Sequence, residues 1–439
     1  MSDKKYHRNL SPGERMWLAL DQQGSPMAYI LVIEGIGDIP DGAMKEALYK
    51  ISLLYPICRS KITGFLKNHR WEESDNFPRF KRLGTTVSPF GAWPLEIEKK
   101  MFWKKINLKK ESPVMVYSLS DGNKQRLYIK IHHTAMDGMA LNLFTNDLFK
   151  ILRGEEPLGP TEGPETRRDL YAATLPDDFF EKRRQEFLKN KAAKPDDQQK
   201  EGRSLIFNGV YVGKHFISPP SKDNQMEWYT LFIPKEKMNT SSITGKGISA
   251  VMEALFKLNP ETKDKKFQAG VAADLRYLMP GLRNAANLTG MIAVQLDKYS
   301  DVPFKERVAL INNDIKDQIK KGWALTKHPP IIDWLPIRLM STFIYIYRKI
   351  VFHKKETPYY FFFSNSGRYK LANLSTKGFK AQRVFAIPIW QICVPLFILM
   401  ITHDNGIEFL CATDTDKAGL TRFVDLFRKE INSAEDKLA

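Results

Sequence analysis

The chain has 439 residues, of which 43% are hydrophobic and 27% charged, enough apolar material for one large core or two packed lobes of roughly 200 residues each and too much for a disordered chain. A formal net charge of +17 attracts polyanions: nucleic acid, anionic lipid, the phosphates of CoA or an acidic carrier protein, with plain solubility as the bland alternative. Nucleic acid is set aside, because the chain shows no zinc-finger spacing, no RNA-binding aromatic signature and no basic recognition helix.

The N-terminus, Met1 to His7, is polar and has no apolar signal core. Ser11-Pro12-Gly13-Glu14 reads as a capping box that opens a helix from Arg15 to Asp21. Ala28 to Glu34 is rich in β-branched residues and reads as a strand. Asp38 to Asp41 is a turn into a helix through Leu54, with Ala43, Ala47, Leu48, Ile51 and Leu54 on one face. Arg126 to His132 alternates as a strand, Leu127, Ile129 and Ile131 lying opposite Tyr128 and Lys130. After Gly138 the period changes, and Ala140, Phe144, Leu148, Ile151 and Leu152 fit a helix closed by Gly154. From Gly154 to Arg203 the composition turns to Pro, Glu, Asp and Lys, with a charged helical piece at Asp177 to Lys191 and a mobile stretch expected around Lys194 to Asp197.

The second half begins near Phe207. It reads as strand (Trp228 to Ile233), helix (Ile248 to Leu258), strand (Phe267 to Asp274) and helix (Pro303 to Lys321). Pro336 to Val351 is an apolar helix with basic flanks, suited either to the core or to a membrane surface. Tyr359 to Phe363 is an aromatic strand and Leu420 to Asn432 an amphipathic helix. Val384 to Thr402 is weakly charged, but Pro388, Gln391 and Pro395 interrupt it, which suits two buried strands better than a membrane span. Strands and helices mixed in both halves predict an α/β protein of two lobes, residues 1–175 and 207–439, joined by 176–206. Cys58, Cys393 and Cys411 are an odd, widely spaced set with neither disulfide nor metal-ligand spacing, so a reducing cytoplasm and no metal are expected.

The chemistry-bearing segment is His132-His133-Thr134-Ala135-Met136-Asp137-Gly138, a strand end followed by a turn into a helix. Histidine accepts a proton near neutral pH, and the strand end holds it on a rigid element. Neighbouring strand residues face opposite ways, so one histidine is expected to be catalytic and the other structural. Asp137 is expected to orient the turn through an ion pair, and Gly138 to let the chain turn sharply. A buried histidine pair and a metal site are the alternatives; no third ligand lies at suggestive spacing for the latter.

The segment resembles the His-His-x-x-x-Asp-Gly acyltransferase superfamily, which includes chloramphenicol acetyltransferases, condensation domains of peptide synthetases and the wax ester synthase/diacylglycerol acyltransferase family. Leu10-Ser11-Pro12 with Leu18-Ala19-Leu20-Asp21 is similar to the wax ester synthase opening, and Leu54 to Arg59 to that family's Pro-x-Leu-Arg segment. Ala273-Asp274-Leu275-Arg276 with Asn287-Leu288-Thr289-Gly290 resembles its Arg and Gly-Asn region, Phe363 to Gly367 its Ser-Asn segment, and Ile401 to Gly406 its late Tyr-Asp-Gly turn. Three motifs depart: Pro113-Val114-Met115 stands for Pro-Leu-Trp, Ser242 to Ile248 lacks an Asn-Asp pair, and Ser364 to Tyr369 replaces Ser-Asn-Val-Pro-Gly-Pro.

The resemblance implies two chloramphenicol-acetyltransferase-like lobes with an active-site tunnel between them. His133 would be general base, with His132 structural. Ser364 or Asn365 would supply the oxyanion donors, and Asp137 would pair with Arg276 as first choice or Arg59 as second. No cofactor is implied beyond the substrate itself, an acyl-CoA or acyl-carrier-protein thioester. The leading expectation is transfer of an acyl group from CoA to an alcohol or lipid hydroxyl, in the cytoplasm and with peripheral membrane contact open. The alternative is a stand-alone condensation enzyme that draws on an acidic carrier protein and makes an amide or ester. A catalytically idle binding module is the third reading, and the intact motif argues against it.

Overall fold

The computed structural model describes residues 5–24, 26–65, 68–182, 185, 213–214, 226–237, 241–263, 267–325, 336–354, 356–357, 360–389, 394–413 and 416–434. The first half supplies strands β1 (Ala28–Gly37), β2 (Arg79–Thr85), β3 (Val114–Asp121) and β4 (Lys124–His132). Its helices are α1 (Pro12–Gln22), α2 (Asp41–Leu54), α3 (Glu96–Trp103) and α4 (Gly138–Leu152), with α5 (Arg167–Thr174) following. The second half supplies strands β5 (Glu227–Pro234), β6 (Gln268–Asp274), β7 (Thr289–Gln295), β8 (Phe361–Tyr369), β9 (Phe379–Ile387), β10 (Leu396–His403) and β11 (Gly406–Thr413). Its helices are α6 (Ile243–Leu258), α7 (Phe304–Lys320), α8 (Ile337–Lys354) and α9 (Lys417–Asn432).

One sheet has five strands in the order β9-β1-β4-β3-β2 and the other six, β7-β6-β8-β10-β11-β5. The chain is thus mixed α/β in two lobes, but the lobes are not cut cleanly by sequence position. Strand β9, from the second half, pairs antiparallel with β1 and completes the first sheet. On it Arg383 reaches back to the second sheet, where its Nε and Nη2 donate to the two carboxylate oxygens of the buried Glu408 of β11, at 2.6 and 2.9 Å. Val384 to Thr402 accordingly resolves into β9 and β10, and no helix among the described residues is long and apolar enough to cross a membrane.

Local chemistry explains the elements that carry the site. The Ser11 capping box forms, Ser11 Oγ accepting from Glu14 N at 3.3 Å and Glu14 Oε2 from Ser11 N at 2.7 Å. The same buried carboxylate takes two bonds from Arg8, at 2.7 and 2.8 Å, and one from Trp71 Nε1 at 3.0 Å, so the start of α1 is pinned rather than frayed. At its other end α1 packs Met16 and Ala19 on Ile337, Met340 and Ile344 of α8. The opposite side of α8 exposes Leu339, Tyr345 and Ile346. The charged helix expected from Asp177 is described from Phe179 to Lys182 and at Gln185; Lys194 to Asp197 and Cys393 lie outside the described residues. Cys58 and Cys411 are buried and form no disulfide, and burial pushes both thiols up, which makes them inert.

Both faces of β4 are covered, so its polar residues need internal partners. Lys130 aims its ammonium at the C-terminal carbonyls of α3, reaching Met101 O at 2.7 Å and Phe102 O at 3.1 Å; burial, then Lys104, pushes its pKa down to about 7. Arg126 bonds Glu34 at 2.6 and 3.0 Å and Glu98 at 2.9 Å, while Tyr128 donates to the same Glu98 oxygen at 2.5 Å. Replacing the cation leaves two buried carboxylates uncompensated. Arg126→Met is therefore expected to cost about 3–5 kcal/mol in urea unfolding of the first lobe; a loss within about 0.5 kcal/mol, as for ordinary surface changes, would contradict this.

Candidate active site

Strand β4 ends at His132, opposite Ala28 of β1. The chain then tightens: His133 N donates to Met27 O at 2.8 Å and Ala135 N to His132 O at 2.9 Å. It enters α4 with Asp137 as the helix cap, Oδ1 accepting from Ala140 N at 2.8 Å. The other carboxylate oxygen accepts from Leu288 N at 2.7 Å, Arg276 Nη1 at 3.1 Å and Thr289 Oγ1 at 3.1 Å. Burial alone would raise the Asp137 carboxyl, but Arg276 and the backbone donors overrule it and hold it below the ordinary carboxylate range. With every oxygen engaged, Asp137 is a structural anion.

Arg276 also bonds Asp274 Oδ1 at 2.7 Å and Ala286 O at 2.8 Å. The segment between β6 and β7 is thereby bolted to the start of α4. Further along α4 the buried Asp147 accepts from Gly159 N at 3.0 Å, Tyr55 Oη at 2.7 Å and Arg283 Nη2 at 3.3 Å, a second tie to the same segment. Arg59 is not a partner of Asp137. It follows α2 directly, and the short strand Arg70–Glu73 presents Glu73, which it bonds at 2.6 Å.

The two histidines face different surroundings. His132 is buried, its Nδ1 accepting from Thr134 N at 3.2 Å and its Nε2 lying 3.8 Å from Asp21 Oδ1. His133 is partly exposed and stacks on Trp17, centroids 4.8 Å apart and planes 5° from parallel. Its Nδ1 is 3.1 Å from Met136 O, an atom that can only accept, and this contact suits the Nδ1–H tautomer, whereas the Asn287 amide suits an unprotonated Nδ1. The Asn287 amide nitrogen donates to His133 O at 2.8 Å and lies 2.9 Å from Nδ1. Nε2 has no hydrogen-bond partner among the described residues. Burial lowers the imidazole pKa below its ordinary value, against the attraction of Asp137.

Two expectations need correcting. Gly138 does not make a sharp turn through a left-handed backbone; it lacks a positive φ and is the first residue of α4. A Cβ there would stand 3.6 Å from both Ser366 Oγ and Tyr29 Oη. Those hydroxyls bond each other at 2.9 Å, joining β1 to β8. Ser366, rather than Ser364 or Asn365, is thus the β8 hydroxyl beside the motif. The pairing of β8 with β10 slips by one residue between Asn365 and Arg368, a bulge that re-aims Ser366. Asn365 is exposed, donating to Thr244 Oγ1 at 3.3 Å and accepting from Gly367 N at 3.0 Å; Ser364 is only partly buried.

No family model and no curated protein matches this sequence. Solved structures do. The first condensation domain of the calcium-dependent antibiotic synthetase, in complex with a substrate analogue, is 12% identical over 100% of this chain and 98% of its own, at TM-score 0.67. A double mutant of the starter condensation domain of rhizomide synthetase, in complex with C8-CoA, is 12% identical over 99% of this chain and 96% of its own, at 0.64. The epimerization domain from the third module of tyrocidine synthetase B is 13% identical over 99% and 98%, at 0.61. The chain has the condensation-domain fold. Identity this low shows the fold alone, and that fold carries both condensation and epimerization domains, so function must be argued from the site.

Trp17, Tyr29, Asn287 and Ser366 were not singled out from the sequence, although Asn287 and Ser366 lie in segments that carry the resemblance. Trp17 and Tyr29 had no such local signal. Removing the anion at the centre of the site tests its geometry: Asp137→Asn is expected to cost about 3–5 kcal/mol. In a cycle with Arg276→Gln the two changes should couple by roughly 1–3 kcal/mol in chemical unfolding; additive losses would mean that Arg276 is not the partner that matters.

Proposed function

We propose that this chain transfers an acyl group from a thioester to a hydroxyl, with His133 as general base. The observation that carries the reading is the placement of His133 at the end of β4, its Nδ1 occupied by Met136 O and Asn287 and its Nε2 without a hydrogen-bond partner among the described residues; as the Nδ1–H tautomer, the ring offers Nε2 as proton acceptor. Nε2 takes the hydroxyl proton as the acceptor oxygen attacks the thioester carbonyl carbon. The tetrahedral oxyanion then collapses, the C–S bond breaks, and the imidazolium returns its proton to the departing thiolate. The ester and the free thiol are the products. No acyl-enzyme is required, because the thioester is already activated.

Tyr29 and Ser366 are the oxyanion donors we assign. Two hydroxyls hold two protons, and their mutual bond uses one, so the other is available to a developing negative charge. An acyl-CoA donor is supported by the rhizomide synthetase domain of this fold that binds C8-CoA. The basic surface suits its phosphates as well. Lys104, Lys105, Lys109 and Lys110 are exposed after α3, and Lys105 Nζ lies 3.6 Å from Asp21, the neighbour of His132. The second reading, condensation from a carrier protein, is supported by the synthetase domains among the structural neighbours.

A panel of acyl-CoA and acyl-carrier donors with alcohol and amine acceptors, read by mass spectrometry, separates the two. His133→Ala should lower turnover about 10²–10⁴-fold, and near-normal turnover by the purified variant would sink the mechanism. A base whose folded pKa lies below its ordinary value of 6.5 loses activity only at lower pH, so the acid limb of kcat/KM is expected below pH 6.5. A limb above that value would point to another group. If the lysine cluster meets the donor, Lys104→Glu with Lys109→Glu should raise the donor KM, and should do so most at ionic strength well below 0.1 M, where the screening length exceeds about 10 Å. An unchanged KM at low salt would remove the cluster from the donor path.

A further inference from the structure

Among the described residues His133 has no carboxylate on Nδ1, the partner that would most simply stabilise a protonated imidazole. Asp137 commits its oxygens to Ala140 N, Leu288 N, Thr289 and Arg276. Nδ1 meets a neutral carbonyl and a neutral amide instead. The groups that face the ring are Trp17 from α1, Tyr29 from β1 with its centroid 6.4 Å away and tilted, and Asn287 from the segment before β7. Asp137 is the charged group that attracts the imidazolium. None of these is an anion in contact with the ring.

What covers the imidazole face is an indole. The near-parallel stack at 4.8 Å puts the negative quadrupole of the best cation–π side chain against the ring that must become positive. Trp17 is also held firmly enough to impose its geometry. The capping box and the Arg8–Glu14–Trp71 contacts fix one end of its helix. Ser341 of α8 fixes the other, its one hydroxyl proton facing Gln22 Oε1 at 2.8 Å with Ala19 O also near at 3.3 Å.

We propose that Trp17 is a positioning residue of the active site, whose indole face orients the His133 ring and stabilises its protonated form. The inference rests on reading His133 as the base. Two consequences separate this role from mere packing. Loss of the indole makes His133 harder to protonate, and it slows the step in which the imidazolium forms without weakening substrate binding to the same degree.

The test is a histidine-ring NMR titration of the full chain. The chain has eight histidines, and the His133 signal is assigned by its disappearance in His133→Gln. Trp17→Leu should move the His133 midpoint downward by about 0.4–1.5 pH units, the shift that corresponds to a cation–π contact of this kind. Trp17→Phe, which keeps a smaller π face, should move it less. In acyl-transfer assays kcat should fall more than KM rises, with partial recovery in Trp17→Phe. Should Trp17→Leu fail to fold, as judged by circular dichroism, Trp17→Phe and Trp17→Tyr carry the same measurement. An unchanged midpoint in the folded variants would overturn the proposal, whatever happens to stability. A wild-type chain that transfers no acyl group would instead overturn the functional reading, and the titration would still decide Trp17.

Discussion

The buried carboxylate of Asp137 is the constraint on which the rest of the site depends. A fully buried anion is tolerated only when each lone pair has a donor, and here those donors come from both halves of the chain: Ala140 N from the first, and Leu288 N, Thr289 Oγ1 and Arg276 Nη1 from the second. Satisfying the charge therefore brings the segment before β7 onto the start of α4. That movement delivers Asn287 to His133. The motif's aspartate acts on the chemistry only through geometry, and its remoteness from proton transfer follows from the completeness of its own bonding.

A similar logic runs through the first sheet. A strand covered on both faces ordinarily reads as continuously apolar, yet β4 carries Arg126, Lys130 and His132. Each is accommodated by a different device: two carboxylates for Arg126, the carbonyl end of a helix for Lys130, and a turn amide with the nearby Asp21 for His132. These partners lie on α3, β1 and α1, so the polar residues of one strand fix how its neighbours are laid around it. Arg383 extends the pattern across the sheets by holding Glu408.

The fold and the site make claims of different strength. Likeness to condensation domains at full length establishes the architecture, while an epimerization domain shares it. Acyl transfer is argued from the unengaged Nε2 of His133, the Tyr29–Ser366 hydroxyl pair and an imidazole that meets no carboxylate among the described residues. The last feature distinguishes this site from a Ser-His-Asp triad, in which an aspartate stabilises the imidazolium; here an aromatic face stands where that charge would be.

Much of this was legible in the sequence because it is local. The Ser11 capping box, the strand into His132, the helix closed by Gly154 and the pair of strands within Val384 to Thr402 all follow from short-range periodicity and cap chemistry. The motif itself announces a histidine at a strand end. What pairs with it was decided elsewhere. Arg276 and Arg59 are equivalent as charges, and only the path of the chain after β6 places the first beside Asp137 while the strand Arg70–Glu73 gives the second to Glu73. Ser366 displaced Ser364 and Asn365 because a bulge, invisible to alternation, shifts the strand by one residue. Trp17 reaches His133 across more than a hundred residues through the docking of α1. Strand β9 joined the first sheet although it lies in the second half, since hydrogen-bonded edges are matched in space and not by order along the chain. Local structure is set by neighbours in sequence, but a buried charge, a strand edge or an aromatic face finds its partner only when the chain has closed.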